Sequence, residues 1–239
     1  MGRWRIHPTS FTGIESMSLS AAEMEALAIS IQVALLSTAI VAIPGVFLGW
    51  ILAIPRWRGR ALVDALVMLP LVLPPVVVGW ALLMLLGGRS PFGIDIAFTG
   101  LAAAVAGGVV GLPLLIRASR IGFESVDPRL EEAARTLGMK RLEAFFKISL
   151  PLAAPAIGQG LILCMARSMG EFGATITFAG AIPGSTRTLP LMIHEQLQAP
   201  GGDQLAMRLV IFSALISLAA MATSEWLARK VRGKNGGLR

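Results

Sequence analysis

Long apolar runs alternate with polar connections along this chain. A membrane-spanning helix needs about 20 apolar residues. Five runs qualify, over about 26–54, 61–86, 96–116, 152–170 and 205–227. The fourth trails into a weakly polar stretch ending near Ile182. Between the third and fourth lies a longer polar segment, 117–150, rich in Arg and Lys. The pattern predicts an all-α membrane protein of five spans with one organised loop. The membrane domain then covers 24–229, with a tail over 1–23 and another over 230–239.

Composition narrows the class. Of 239 residues, 55% are hydrophobic and only 15% charged, and the mean hydropathy is +0.73. A soluble domain of this size needs far more polar surface. The net charge of +7 would suit nucleic acid, but the basic residues cluster at the ends of apolar runs. The first connection carries Arg56, Arg58 and Arg60. The long loop carries Arg117, Arg120, Arg129, Arg135, Lys140, Arg141 and Lys147. The last tail carries Arg229, Lys230, Arg232, Lys234 and Arg239. The opposite side has only Arg3, Arg5, Arg89 and Arg187. Positive residues stay inside, so the N-terminus is expected outside and the C-terminus in the cytoplasm. An odd number of spans requires the same. Trp50, Trp57 and Trp226 fall near the cytoplasmic boundary, where indole rings prefer to sit.

The runs carry further signals. Pro70, Pro74 and Pro75 in the second each remove an N–H from the helix ladder, so a bent helix in a packed bundle is expected. Gly45, Gly49, Gly107, Gly108 and Gly111 permit close helix crossing. Cys164 is the single cysteine and reads as a buried small hydrophobe. No Cys/His spacing suits a metal. No cleaved leader is expected, because the first run is long and follows a polar stretch.

The loop reads as two short helices. Asp127-Pro128 is a start signal, with Asp as N-cap and Pro at the first helical position. Leu130, Ala133, Ala134 and Leu137 follow at helical spacing and form a narrow apolar face. Gly138 can take the left-handed conformation that ends a helix. A second amphipathic piece presents Leu142, Phe145 and Phe146, and Pro151 is expected to open the fourth span. A helix lying on lipid is the bland alternative. Glu124, Asp127, Glu131, Glu132 and Glu143 oppose it, since they would repel anionic headgroups. A protein groove fits better.

In the fourth run, Arg167 and Glu171 stand four apart and share a helix face. Intramembrane charges pair or face water. The pair is therefore either structural or, with Ser168, Thr175 and Thr177, part of a polar path through the bundle. An enzyme is disfavoured, because His7 and His194 are the only histidines and both lie outside the spans. A passive channel would have no need of the docking loop.

Glu132-Ala133-Ala134, three residues, Gly138, nine residues, then Ile148-Ser149-Leu150-Pro151 resembles the signature loop of ABC-importer permeases. The resemblance implies the type I importer (MetI-like) bundle. It makes Glu132, Ala133, Ala134, Leu137 and Gly138 the docking surface for a cytosolic ATPase subunit. ATP and Mg would then sit on two copies of that partner. This chain lacks a G-x-x-x-x-G-K-[ST] phosphate loop and would hold no cofactor. The resemblance further implies a homodimeric permease in the bacterial inner membrane, served by a periplasmic binding protein. Three blocks narrow the family. Leu69–Gly79 is similar to molybdate permeases, and Ala166–Thr175 to molybdate and sulfate permeases. Thr186-Arg187-Thr188-Leu189-Pro190 with Gln198–Gly202 is again molybdate-like. Molybdate, with tungstate beside it, is the substrate implied, and sulfate the alternative.

Overall fold

The computed structural model describes residues 20–54 and 57–235, with most of the chain beyond Ala219 described by its backbone alone. The expected tails fall largely outside the described residues. Those described form helices joined by turns, with no strand. The helices are α1 (Ala21–Ala53), α2 (Arg60–Val72), α3 (Pro75–Leu86), α4 (Gly100–Glu124), α5 (Pro128–Thr136), α6 (Arg141–Ala144), α7 (Leu150–Met169), α8 (Gly173–Phe178), α9 (Leu189–Gln198) and α10 (Asp203–Asn235). A π-helical turn, Phe145–Ser149, joins α6 to α7.

Among the described residues, three continuous helices are long and apolar enough to cross a membrane: Ala21–Ala53, Gly100–Glu124 and Arg141–Met169. The chain is thus a multi-pass membrane protein. The fifth expected run falls on α10, a helix of 33 residues.

α1 begins with a capping box. The Ser20 N–H donates to Glu23 Oε2 at 2.6 Å, and the Glu23 N–H donates to Ser20 Oγ at 3.3 Å. These bonds satisfy donors that a helix start leaves orphaned.

α4 is the central element, packed between α1 and α7. Its small residues allow this. A Cβ on Gly107 would lie 2.8 Å from Ser37 Oγ, and one on Gly111 would lie 2.7 Å from Cys164 Sγ. Two hydroxyls then lock the crossing. Ser37 Oγ donates to the Ala104 carbonyl at 2.7 Å, and Ser168 Oγ donates to the Gly107 carbonyl at 2.9 Å. Without bulk water, such bonds and close packing hold helices together. The main core draws on α1, α3, α4 and α8 through Ile29, Val33, Val78, Leu82, Val110 and Phe178.

The second run departs from a simple bend. α2 and α3 meet at 110°. At 13 and 12 residues, each is about 20 Å long, short of the roughly 30 Å hydrocarbon core. The cause is the proline pair. Pro74 drives Leu73 out of the helical region, to ψ 145°, and Pro75 does the same to Pro74, at ψ 132°. Two successive extended residues turn the chain. Pro70, inside α2, makes no break.

Other boundaries also move. The third run starts its helix at Gly100 rather than 96, because Thr99 caps it by accepting from the Ala102 N–H at 3.2 Å. That helix runs on to Glu124. The fourth does not open at Pro151, since helix is continuous from Arg141. Its weakly polar extension is instead broken at Gly170 and restarted as α8.

Candidate functional site

α5 is built by local rules. Asp127 Oδ1 accepts from the Arg129 N–H at 2.9 Å, and Pro128 occupies the first helical position. At the other end, the Met139 N–H reaches the Ala134 carbonyl at 3.1 Å and the Gly138 N–H reaches the Arg135 carbonyl at 3.0 Å. This pair of bonds is the Schellman arrangement. Gly138 holds it with φ +91°. A Cβ there would meet nothing within 4 Å, so glycine serves the backbone conformation and not a steric fit.

The helix stands open to solvent. Leu137 is 88% exposed, and Leu130, Leu142 and Phe146 are exposed as well. Glu132, Arg135, Thr136, Gly138, Met139, Lys140 and Arg141 line an open depression beside it. Two expected surface residues turn inward. Ala134 is buried, and its small side chain lets α5 lie against the chain that follows. Phe145 leaves the outer face, stacking on Phe123 at 5.8 Å and meeting the Trp50 ring at a tilt at 5.1 Å, between α4 and α1. Of the five docking residues expected from sequence, Glu132, Ala133, Leu137 and Gly138 are therefore the accessible ones. Glu131 faces inward too, where its carboxylate accepts from the Ser149 hydroxyl.

The second candidate cluster is at the far end of α7. Arg167 Nη1 lies 2.6 Å from Glu171 Oε2. Glu171 Oε1 also accepts from the Ala174 N–H at 2.9 Å, which caps α8. Its side chain is 2% exposed, while that of Arg167 is 31% exposed. Ser168 is committed to the Gly107 carbonyl, and Thr175 is buried. Thr177 bonds back to the Gly173 carbonyl. Of the proposed path residues, Arg167 and Thr177 are half-buried, while Ser168, Glu171 and Thr175 are buried. Among the described residues, no group of three His, Cys, Asp or Glu is placed to hold a metal ion.

Two ion-pair groups that join separate helices escaped the sequence. Arg208 binds Glu23 Oε1 through Nη2 at 2.5 Å and Nε at 3.1 Å. Arg120 binds Asp64 at 2.9 Å and Glu124 at 2.8 Å, and Arg60 joins Glu124 at 2.8 Å. The Ser20-x-x-Glu23 spacing signals a capping box, but it does not reveal Arg208.

Comparison with known proteins places this architecture. The solved structure of the MetNI methionine ABC transporter in inward-facing form superposes with a TM-score of 0.64 at 18% identity, covering 87% of this chain and 99% of that one. The molybdenum transport system permease protein ModB of Escherichia coli (strain K12) is 44% identical over 228 residues, 92% of this chain and all of that protein. The sulfate transport system permease protein CysT of Salmonella typhimurium is 36% identical over 79% of this chain and 72% of that one. Residues 45–233 match the family model for the binding-protein-dependent transport system inner membrane component. That match spans most of the described helices, and the chain belongs to this family of ABC-transporter membrane permeases.

Proposed function

We propose that this chain is the permease subunit of an ATP-driven importer that carries molybdate, and tungstate beside it, across the bacterial inner membrane. One observation carries the mechanism. An exposed, capped helix projects from the bundle between two spans, and its Schellman turn holds Leu137 clear of the rest of the chain. The substrate assignment is supported by the likeness to the molybdenum permease over that protein's whole length. The sulfate permease is more distant.

In this reading, α1, the α2–α3 pair, α4, α7 and α10 are five spans, with the N-terminus outside and the loop 117–150 in the cytoplasm. Two copies form the permease, and the oxyanion path runs between them. Two cytosolic ATPase subunits, which hold ATP and Mg, engage Glu132, Ala133, Leu137 and Gly138. ATP-driven closure moves α5, and the bundle alternates between outward- and inward-open states. A periplasmic binding protein delivers the oxyanion. Arg167 offers a donor to the passing dianion while Glu171 holds it, so the contact stays weak enough for release.

The test is reconstitution of permease, ATPase and binding protein in vesicles. Molybdate should stimulate ATP hydrolysis and accumulate inside. Stimulation by sulfate with none by molybdate would shift the assignment to a sulfate permease. Accumulation without ATP would refute the importer reading.

A further inference from the structure

We propose that Glu131 and Ser149 are positioning residues that join the coupling helix α5 and the membrane helix α7 into one mechanical body. This rests on the reading of α5 as the ATPase-docking element. Sequence gives neither residue that part. Ser149 occupies the unassigned position of the Ile-x-Leu-Pro motif, and Glu131 reads as one acid among several.

Three observations converge. First, α5 has little hold on the rest of the chain. Ala134 is its one buried residue, and an alanine gives little area to grip. The polar tie beside it is the Ser149 hydroxyl donating to Glu131 Oε1. Ser149 is 4% exposed and Glu131 is half-buried, so the bond is partly shielded from competing water. A hydrogen bond to a charged acceptor is stronger than a neutral one.

Second, Ser149 ends the π-helical turn Phe145–Ser149. Pro151 explains that turn. It has no N–H for the Lys147 carbonyl, and its ring would crowd that oxygen. The wider turn relieves this, and the Leu150 N–H bonds the Phe145 carbonyl instead. π-Helical turns are rare and concentrate at functional sites. The inserted residue leaves Phe145 facing Trp50 and Phe123. The base of α7 is thereby seated on α1 and α4 on one side and tied to α5 on the other.

Third, helix runs unbroken from Arg141 to Met169 over 29 residues. Its far end carries the Arg167–Glu171 pair and, through Glu171, the start of α8. A displacement of α5 enters this rod at Ser149 and is delivered near Arg167.

The experiment uses the complete importer in vesicles with molybdate. Glu131→Ala and Ser149→Ala should keep the ATPase subunits bound and basal hydrolysis unchanged. Each should lose about tenfold or more in binding-protein-stimulated hydrolysis and uptake, and the double variant should be no worse than either single, since both remove one shared interaction. Glu131→Gln retains an acceptor oxygen and Ser149→Thr retains the hydroxyl, so both should stay near the parent. Parent-like uptake in the two alanine variants would overturn the proposal. So would additive losses, or a glutamine variant as weak as alanine. Release of the ATPase by Glu131→Ala would overturn it too, by making Glu131 a direct contact. Glu132→Lys and Gly138→Val, run alongside, test the docking reading separately. If they keep both partner and uptake, that reading fails whatever Glu131 does.

Discussion

Glu23 and Arg208 stand 185 residues apart and meet at 2.5 Å, joining the first turn of α1 to the second turn of α10. The Glu23 side chain is wholly buried, and its other oxygen takes the Ser20 N–H. One carboxylate therefore caps the first helix and fastens the last helix to it.

Loss of the guanidinium should strand that carboxylate. Breaking a buried pair costs about 3–5 kcal/mol, toward the lower end here because Arg208 keeps solvent contact. Arg208→Met should lower the thermal midpoint of the detergent-solubilised permease more than Arg89→Ala does. Glu23→Gln combined with Arg208→Met should recover part of the loss. Equal midpoints for Arg208→Met and Arg89→Ala would show that the pair contributes nothing.

Gly138 should tolerate no β-branched residue. The position has space, so the penalty is conformational, roughly 1–2 kcal/mol for a left-handed L-residue. The larger effect is displacement of Leu137 and of the turn beside it. Gly138→Val and Glu132→Lys should leave a membrane-inserted permease that purifies without its ATPase, or holds it without stimulation. Normal assembly and full uptake in both variants would remove α5 as the coupling element.

Arg167→Ala should impair folding or transport more than Arg89→Ala. Glu171 is buried and also caps α8, so an unpaired charge there disturbs two elements. Uptake and expression equal to the parent would exclude Arg167 from both the pair and the path.

Orientation can be read at the C-terminus. Fifteen of the 21 Lys and Arg residues fall on one side of the expected spans, and that side should be the cytoplasm. A reporter active only in the cytoplasm, fused after Arg239, should be active. Activity of an external-only reporter at the same site would reverse the topology.

Asp127-Pro128 and Gly138 set the ends of α5 through their own side chains and backbone preferences. Those rules act within a few residues, so sequence alone determined that helix, as it did the long apolar helices α1 and α4. The proline pair announced a break near Pro74, but not that the turned α3 would pack on α8, where Gly79 approaches the Ala174 backbone. Ala134 and Phe145 lay on apolar faces that periodicity could find. For Phe145, which way the face would point was decided by Trp50 and Phe123, brought near from distant parts of the chain. The Arg167–Glu171 pair was legible because its partners sit one helical turn apart. Glu23–Arg208, Arg120–Asp64 and Glu131–Ser149 join separate helices, and no period or spacing encodes them. Only the packing of α1, α4 and α7 around their small residues sets where those charges and hydroxyls meet.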